Sequence, residues 1–595
     1  MRCHWILLAL LVPVFTGQTA ELTVQEPPGP GLVAVLPTNA PPTSAGRAAL
    51  RPPSLSPRGE AFPAMRAGWD TQPNLRSTRS AREQAFRQAE KNARAAAEAL
   101  YRCRRYVAGW LAHADPRSGL IPRGLNPKSL WQGVPTTDLW NGRDAAADNY
   151  AFMVLTCALT DTNLLATRMR DILHAERTRA RRVDRLSDNY RFSTATFLKP
   201  EPVLDELMFD NAEYVKDGLL PITEWLGPTL WSDRAIALVE DIWKNAPIET
   251  PFGRIPTLEF EVNGDLLQAN ARLFWFTGDR KFLDWAVRLG DFYLLGTNHP
   301  TRDLRRLRLV DHGCEVVNGL SELYFAVSRV WPEKKRAYAE PVHAVYDAIL
   351  ARGRNEHGLL YEWFDPRTGN HAQPVCDTWG YVFDGFYTLY LVDGTEAYRT
   401  ATQRALASLQ PHYTGNRWEG GSADGYADSI EGAINLLNRL PAPSAAAWVD
   451  TEIRVMWAKQ QADGVIEGWH GDGNFARTSL MYALWQSRGV RLEPWREDVR
   501  LGAVQHEGEL LVSLTAEKPW SGRLIFDRPR HRDFLHLPLD YPRINQFPEW
   551  FTVEAAQSYR VQGIAGKTQK FTGVQLSEGI PVALQAGREL RLTVR

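Results

Sequence analysis

The stretch Thr277-Gly278-Asp279, followed by Phe282-Leu283-Asp284-Trp285-Ala286-Val287, predicts a tight polar turn and then an amphipathic helix. An aspartate in such a turn can accept a hydrogen bond from an unpaired backbone N–H of the next helix, and the apolar residues recur at three- and four-residue spacing. Similar turns divide the chain between about residues 145 and 456, at intervals of about 50 to 67 residues. They are Leu159-Thr160-Asp161, Leu226-Gly227-Pro228, Val330-Trp331-Pro332, Val392-Asp393-Gly394 and Leu440-Pro441-Ala442-Pro443. Six helical hairpins of this length favour a closed ring over an open solenoid.

Helical sequence continues on both sides of the hairpins. Residues 80–110 are dense in alanine and arginine, and we expect a helix there that closes or buttresses the ring. The stretch Trp469-His470-Gly471-Asp472-Gly473-Asn474 has the character of a seventh helix start and would begin the closing helix. Because helical sequence ends near Gly489, we assign residues 80–490 to the helical domain.

The last hundred residues change from helical to strand-like sequence. Short β-rich runs at 510–514, 523–526, 550–553 and 589–594 are separated by glycine, proline, asparagine and aspartate. This pattern is typical of antiparallel strands joined by turns. We predict a small antiparallel β-sandwich at residues 495–595 that packs against one face of the ring.

The first 79 residues are predicted to lie outside the folded body. Residues 1–20 have the build of a secretory signal peptide, with Arg2, an apolar run from Trp5 to Phe15, and small or polar residues up to Ala20. This predicts an exported protein, periplasmic or extracellular. The apolar run has about 11 residues where a membrane span needs roughly 20, and no later run reaches that length, so we expect no membrane span. Residues 21–79 are rich in proline, glycine, serine and threonine, which predicts a disordered linker.

Composition argues against several classes of function. Lysine plus arginine equals aspartate plus glutamate, 69 against 69, which removes the main reason to expect a nucleic-acid partner. Four cysteines after the signal peptide are too few for a disulfide framework in 595 residues, and buried thiols are at least as consistent with them. They are Cys103, Cys157, Cys314 and Cys376. Neither a metal-ligand spacing nor a phosphate-binding or dinucleotide motif is present in the sequence, so we expect neither a metal nor a cofactor.

The longer connections, which precede the first helix of each hairpin, must gather at one end of the ring. Nearly all of them place carboxylates beside an aromatic residue, an amide or a histidine. They lie at 140–150, 205–213, 259–265, 311–315, 377–384 and 424–431, and the start at 469–474 has the same character. We call this end of the ring the mouth and expect any chemistry to take place there.

This repeat and these acidic helix starts resemble the six-hairpin glycosidase superfamily, whose members include glucoamylases and unsaturated glucuronyl hydrolases. The resemblance covers residues 82–488. It implies a mostly α protein, an (α/α)6 toroid of helical hairpins, followed here by the predicted β-sandwich. It also implies a site in the funnel where the inner helices begin, with an oligosaccharide or polysaccharide as substrate.

Carboxylates at the mouth are the candidate catalytic groups. Glycoside hydrolysis generally uses one protonated carboxyl group to release the leaving group and one ionised carboxylate to activate water or attack the sugar. Asp148 and Asp428 form the preferred pair, because both lie inside helices, where capping does not explain them. Glu315, Asp384 and His470 complete the predicted catalytic set.

Other mouth residues suit substrate binding. Tryptophan in a polar, glycine-bearing loop can stack on a sugar ring as well as fill a core. The predicted substrate-binding residues are Trp140, Asp144, His312, Asp377, Trp379, Tyr381, Tyr426 and Trp469. For Asp144, Asp377 and Asp424, each near the start of a helix, capping alone is a sufficient explanation.

Two other functions are compatible with the sequence. Helical toroids followed by β-sandwiches also resemble heparinase and chondroitin lyases, which eliminate across a uronate with Tyr, His, Asn and Arg. Asn211, Asn318, His312, His470, Tyr426 and Arg477 would be the candidates here. The β region of about a hundred residues is short for that class, and a non-catalytic sugar-binding protein is the third possibility.

Overall fold

The computed structural model describes residues 79–310 and 313–595. The predicted signal peptide, all but the last residue of the predicted linker, and His312 lie outside these ranges. Eighteen helices occur within them: α1 (Arg79–Ala112), α2 (Ala151–Thr160), α3 (Thr162–Leu164), α4 (Arg170–Arg179), α5 (Leu204–Glu213), α6 (Leu220–Leu226), α7 (Leu230–Lys244), α8 (Phe260–Thr277), α9 (Arg280–Leu294), α10 (Cys314–Val330), α11 (Pro332–Arg352), α12 (Trp379–Asp393), α13 (Glu396–Tyr413), α14 (Ala423–Leu437), α15 (Pro443–Trp457), α16 (Gly471–Ser487), α17 (Arg530–Asp533) and α18 (Gly573–Glu578).

Seven helical segments line the inside of a closed ring in the described part of the chain. The first joins the π-helical stretch Gly142–Tyr150 to α2, and the second joins α5 and α6 through the π-helical stretch Tyr214–Leu219. The other five are α8, α10, α12, α14 and α16. Each packs against the next, and α16 packs against the first, which closes the ring.

The six predicted hairpins are all present, and the ring contains one further inner–outer pair of helices. All six predicted turns separate an inner helix from an outer one, but a seventh pair exists, formed by α16 and α1. Its two helices lie at opposite ends of the helical sequence, so no turn joins them and no local pattern marks the pair. The helix expected at residues 80–110 thus supplies an outer member of the ring.

Two of the three predicted capping aspartates cap their helices. The side chains of Asp161 and Asp279 each accept a hydrogen bond from a backbone N–H of the following helix, both at 3.0 Å. The prediction for Asp393 is wrong. Its carboxylate instead accepts hydrogen bonds from the Tyr324 hydroxyl at 2.7 Å and the Lys335 ammonium at 2.6 Å, because it still belongs to α12 and faces the neighbouring hairpin.

Paired glycines bring two inner helices unusually close at the mouth. A Cβ on Gly432 of α14 would lie 2.6 Å from the Cα of Gly380 in α12, a separation that only a hydrogen in place of a side chain allows. This crossing sets Tyr381 directly beside the acidic face of α14. Glycine here determines which side chains can meet.

Seventeen strands occur in the described residues, and nine of them are short strands within the mouth connections, forming three two-stranded sheets and one three-stranded sheet. They are β1 (Leu130–Trp131), β2 (Val134–Pro135), β3 (Leu139–Trp140), β4 (Arg181–Val183), β5 (Leu186–Ser187), β6 (Tyr190–Arg191), β7 (Thr196–Phe197), β8 (Leu307–Arg308), β9 (Trp363–Phe364), β10 (Arg491–Glu493), β11 (Val499–His506), β12 (Glu509–Ala516), β13 (Trp520–Ile525), β14 (Ser558–Ile564), β15 (Lys567–Thr572), β16 (Ile580–Leu584) and β17 (Leu590–Val594).

The C-terminal strands form two antiparallel sheets. One has the order β10-β13-β16 and the other the order β11-β12-β17-β14-β15, and their buried side chains join in one hydrophobic cluster. Strand β11 pairs with β12 along its whole length, from Val499 opposite Ala516 to His506 opposite Glu509. The larger sheet packs against α1, where Gly502 lies against the backbone of Ala93.

A long connection between β13 and β14, residues 526–557, enters the ring at the end opposite the mouth. We call it the plug loop. Its apolar residues Leu535, Leu537, Tyr541, Ile544 and Phe547 belong to the hydrophobic core of the toroid. Buried polar contacts add to this packing, since the Tyr541 hydroxyl donates to Glu322 at 2.8 Å. The plug loop, rather than a face of the sheets, therefore covers the far end of the ring.

Two further features concern the state of the cysteines and the polarity of the helices. Cys103, Cys157, Cys314 and Cys376 are all buried, as thiols rather than disulfides. Within the described residues, every helix is too short or too polar to cross a bilayer.

Candidate active site

His470 joins two carboxylates at the mouth. Its Nδ1 lies 3.0 Å from Oδ1 of Asp144, and its Nε2 lies 3.6 Å from Oδ2 of Asp424. Burial opposes protonation of the imidazole, but the hydrogen bonds and charges of the two aspartates raise the pKa of His470 well above its usual value. Burial likewise opposes ionisation of Asp144 and Asp424, and contact with His470 nevertheless lowers both pKa values. The three groups form a charged clamp across the mouth.

Local backbone chemistry explains why these aspartates are available for such contacts. Asn141 caps the Gly142–Tyr150 stretch, because its side chain accepts hydrogen bonds from two backbone N–H groups. Ser422 caps α14 by accepting from the N–H of Gly425 at 2.9 Å. The capping explanation is therefore wrong for Asp144 and Asp424, and Asp144 instead binds the Arg123 guanidinium at 2.7 Å.

Asp148 lies beside this clamp with an unengaged carboxyl group. Among the residues that the structure describes, no side chain or backbone group forms a hydrogen bond with that carboxyl, which is only partly buried. Burial raises its pKa well above the usual value; the charge of His470 opposes this, and nearby Asp217 and Asp424 add to it. The raised pKa favours the protonated form of Asp148, whose side chain is partly exposed beside the clamp.

Arg477 of α16 organises the carboxylates of α14. Its guanidinium lies 2.6 Å from Asp428 and 2.7 Å from Glu431, and the Tyr381 hydroxyl contacts the same two carboxylates at 3.0 and 2.7 Å. The side chain of Glu431 is fully buried, whereas that of Asp428 is 18% exposed and reachable from the mouth. Burial raises the pKa of Asp428 to about 7, against the opposing charge of Arg477. We call Tyr381, Asp428, Glu431 and Arg477 the Arg477 cluster.

Glu315 lies deeper, in a separate buried ion pair. Its carboxylate contacts the Lys216 ammonium at 2.7 Å, and Lys216 also contacts Asp217 at 2.8 Å. Gln268 donates a further hydrogen bond to Glu315. With both carboxylate oxygens engaged and the side chain 6% exposed, Glu315 braces the floor of the site and is poorly placed to meet a substrate.

A cavity of about 300 Å³ opens beside the clamp. Its lining includes Arg123, Ser129, Asp144, Trp469 and His470. Asp472 holds the wall of this cavity in place, since its carboxylate accepts hydrogen bonds from the backbone N–H groups of residues 466, 467 and 468. The partly exposed indole of Trp469 is therefore presented on an ordered loop next to charged groups.

Several predicted residues do not reach this site. Trp140 and Trp379 are 1% and 0% exposed and belong to the hydrophobic core, so neither has a free face for a sugar, and their stacking prediction is wrong. The Tyr426 hydroxyl donates to the Asn416 carbonyl at 2.9 Å and points away from the clamp. Asp384 is fully buried beside Asn435 and close to the charges of the plug loop, at the far end of the ring, so the catalytic prediction for it is also wrong.

Asp377 and Tyr381, in contrast, lie close to the carboxylates of α14. Asp377 is near Asp424 and Asp428, and burial together with those charges raises its pKa well above the usual value. The sequence missed Arg123, Lys216, Trp131 and Asn545. Trp131, which stacks on the Arg123 guanidinium at 3.9 Å, occupies the same kind of polar, glycine-bearing loop as Trp469 and could have been found. Asn545 carries no local signal, because it lies in the plug loop.

Comparisons with known proteins give structural matches only. No family model matches the chain, and no curated protein matches it in sequence. An α-1,6-mannanase, GH76A, from Salegentibacter sp. HEL1_6 matches with 13% identity and a TM-score of 0.35, over 46% of this chain and 87% of that chain. A family 76 glycoside hydrolase from Bacteroides thetaiotaomicron gives 12% identity and a TM-score of 0.35, over 47% and 69%. A family 88 glycosyl hydrolase from Bacteroides vulgatus gives 17% and 0.34, over 45% and 90%.

Proposed function

We propose that this protein is a glycoside hydrolase in which Asp148 is the general acid and Asp428 the carboxylate that activates water or attacks the sugar. One observation carries the proposal. Two carboxyl groups from different inner helices are partly exposed near the clamp in different surroundings: that of Asp148 forms no hydrogen bond with the described residues, and that of Asp428 is bound to the Arg477 guanidinium. Glycoside hydrolysis requires this division between a proton donor and an ionised group.

The surroundings of each carboxyl group suit its role. Burial and neighbouring carboxylates raise the pKa of Asp148 well above its usual value, which favours the protonated form, and its lack of hydrogen bonds within the described structure would leave the proton available to a leaving-group oxygen. Asp428 has a pKa of about 7, and Arg477 favours its ionised form. A catalytic pKa near the working pH gives the best balance of protonation state and driving force.

The cavity beside the clamp is a suitable place for a sugar ring. Trp469 supplies an apolar face with a polar edge, the combination on which sugar rings stack, while Arg123 and Ser129 can hydrogen-bond hydroxyl groups. An oligosaccharide entering at the mouth would then place one ring there and the scissile bond near Asp148.

A lyase is supported less well, because its candidate bases are protonated. Contacts with Asp144 and Asp424 raise the pKa of His470 well above its usual value, which favours the imidazolium form, and burial raises the pKa of Tyr426. A uronate lyase must remove a proton with such a group. Asn211, another lyase candidate, is engaged with the Ser187 backbone at 3.0 and 2.9 Å.

Two neutral substitutions test the proposal. Asp148→Asn and Asp428→Asn should each lower kcat by about 10²-fold or more on a glycan that the wild-type protein hydrolyses, because each removes one of the two required groups. Asp384→Asn is the matched control. That carboxyl is fully buried on the inner helix α12, away from the mouth, and burial raises its pKa, which favours the neutral form.

The products decide between the three functions. New reducing ends together with inactive Asp148→Asn and Asp428→Asn variants would support the hydrolase, and full activity in both variants would refute the assignment. An unsaturated product that absorbs in the ultraviolet would instead identify a lyase. Binding of a glycan without turnover would identify a sugar-binding protein.

Two further expectations complete the proposal. We propose that the protein is exported through residues 1–20, and that the two C-terminal sheets pack as a β-sandwich. Their shared hydrophobic cluster supports the second expectation.

A further inference from the structure

The tip of the plug loop reaches through the ring to the Arg477 cluster. Asn545 makes three contacts there: its backbone N–H donates to Glu431 at 2.7 Å, its Oδ1 accepts from Arg477 at 3.0 Å, and its Nδ2 donates to Asp217 at 2.5 Å. Asn545 is 2% exposed, so these contacts are desolvated. Hydrogen bonds to charged groups in such surroundings are among the strong ones.

The backbone of Asn545 is suited to this task. Its φ of 61° is left-handed, a conformation that asparagine and glycine adopt more readily than other residues. This turn directs the N–H and the side-chain amide toward different helices, α14 on one side and α16 and the Tyr214–Leu219 stretch on the other. One residue thereby ties three inner segments together.

The plug loop is fixed on both sides of this tip. Arg543 contacts Glu224 at 3.3 Å and Asp540 at 3.1 Å, while Gln546 accepts a hydrogen bond from Arg439 at 2.9 Å. The backbone carbonyl of Ile544 accepts from Arg272 at 3.2 Å. Because its neighbours are held by buried ion pairs, Asn545 is a rigid support rather than a mobile one.

We infer that Asn545, supplied by the C-terminal β region, is a positioning residue of the active site that orients Arg477 and through it Asp428. The inference rests on the proposed function for its catalytic consequence. It assigns the C-terminal region a direct part in the site, because the toroid alone cannot supply this contact. Asn545 touches no reacting atom in this scheme and acts through Arg477.

Asn545→Gly isolates the side-chain contacts. Glycine adopts the left-handed conformation without strain, so the backbone N–H can still donate to Glu431 while both amide contacts disappear. Asn438→Ala is the matched control, since the Asn438 amide donates to the Glu549 carbonyl of the same loop at 3.0 Å without touching the Arg477 cluster.

The charged groups around Arg477 determine the expected change with pH. Tyr381, Asp428 and Glu431 act on Arg477 directly, and Asp424 acts on both Arg477 and Asp428. Lys216 acts on Glu431, and Asp217 is linked to Arg477 through Asn545. A less firmly held Arg477 stabilises the ionised Asp428 less. The acidic limb of the pH profile of kcat/KM should then move to higher pH in Asn545→Gly, and kcat/KM should fall by about 10- to 100-fold, the effect of one hydrogen bond to a charged group.

A second measurement does not depend on activity. Because the pKa of Asp428 rises further in Asn545→Gly, the loss of Tm relative to the wild-type protein should be larger near pH 8.5 than near pH 5.5. Asn438→Ala should show an unshifted pH profile and a loss of Tm that is the same at both pH values. A pH-dependent loss of Tm in a protein that hydrolyses no glycan would support the positioning of Arg477 and refute only the proposed function. An unshifted profile together with a pH-independent loss of Tm in Asn545→Gly would overturn the inference.

Discussion

Arg477 should be the most costly single side chain to remove from the mouth. It is 3% exposed, lies 2.6 Å from the partly exposed carboxylate of Asp428 and 2.7 Å from the buried carboxylate of Glu431, and donates to Asn474 and Asn545 at 2.9 and 3.0 Å. Arg477→Met keeps much of the side-chain volume and leaves both carboxylates without their cation. Removing one partner of a buried ion pair costs about 3–5 kcal/mol. An unfolding entropy of about 2.1 cal/mol/K per residue, over about 500 residues, converts this to a fall in Tm of about 3–5 °C.

The loss should depend on pH in a definite direction. Burial already raises the folded pKa of Asp428 to about 7 and that of Glu431 above its usual value, and loss of Arg477 raises both further. A carboxyl group with a raised folded pKa lowers the free energy of unfolding once the pH exceeds its unfolded pKa, and this penalty grows until the folded pKa is reached. In the wild-type protein, the growth of the Asp428 penalty stops near pH 7, whereas in Arg477→Met it continues. The difference in Tm should therefore be smallest near pH 5 and increase above about pH 7.

Arg488→Met is the matched control for this experiment. Arg488 is also poorly hydrated, but its Nε and Nη1 have no hydrogen-bond partner among the described residues, and burial lowers its pKa to about 10. Its guanidinium lies over the Trp550 ring, 5.2 Å from the centroid, a contact much weaker than a buried ion pair, so Arg488→Met should cost less than Arg477→Met. Thermal unfolding of the two variants at several pH values provides the comparison. A loss in Arg477→Met no larger than that in Arg488→Met, or one that does not change with pH, would refute this reasoning.

Two further predictions concern side chains at the mouth. Trp469→Ala should raise KM for a glycan by about tenfold with little loss of stability, because Trp469 borders the cavity. Trp379→Ala, in the core, should instead lower the free energy of unfolding by about 3–5 kcal/mol. Measurements of glycan binding and of thermal unfolding distinguish the two effects. Gly432→Ala should cost about 1–3 kcal/mol, because its Cβ would lie 2.6 Å from the Cα of Gly380 and force α12 and α14 apart, and an unchanged Tm would contradict this.

The acidic mouth was predictable from the sequence, while the partners of its residues were not. Asp148 and Asp428 stand out because they lie inside helices, where capping cannot explain them, and the structure places both at the mouth. The spacing of residues along one helix does not reveal which side chains a neighbouring helix places beside them. The contact of Arg477 with Asp428 joins two helices, and that of Asn545 with Arg477 spans 68 residues of sequence.

The burial of a tryptophan side chain could not be predicted from the residues next to it in the sequence. Trp140, Trp379 and Trp469 all occur in polar loops with a nearby glycine, yet the first two lie in the core and only the third borders the cavity. The difference arises from the helices that pack on them, which are distant in sequence. The polarity of the neighbouring residues in the sequence does not determine which residues pack against a side chain.

The sequence by itself determined the six hairpins, their turns and the end of the ring where the acids gather, because helix periodicity and turn chemistry act over three or four residues. Only the tertiary structure decided that the ring has seven helical pairs, since α1 and α16 meet although more than three hundred residues separate them. It also decided that the C-terminal region reaches the site through Asn545. Contacts of this kind depend on the packing of the whole chain, in which a residue meets partners that no local pattern can identify.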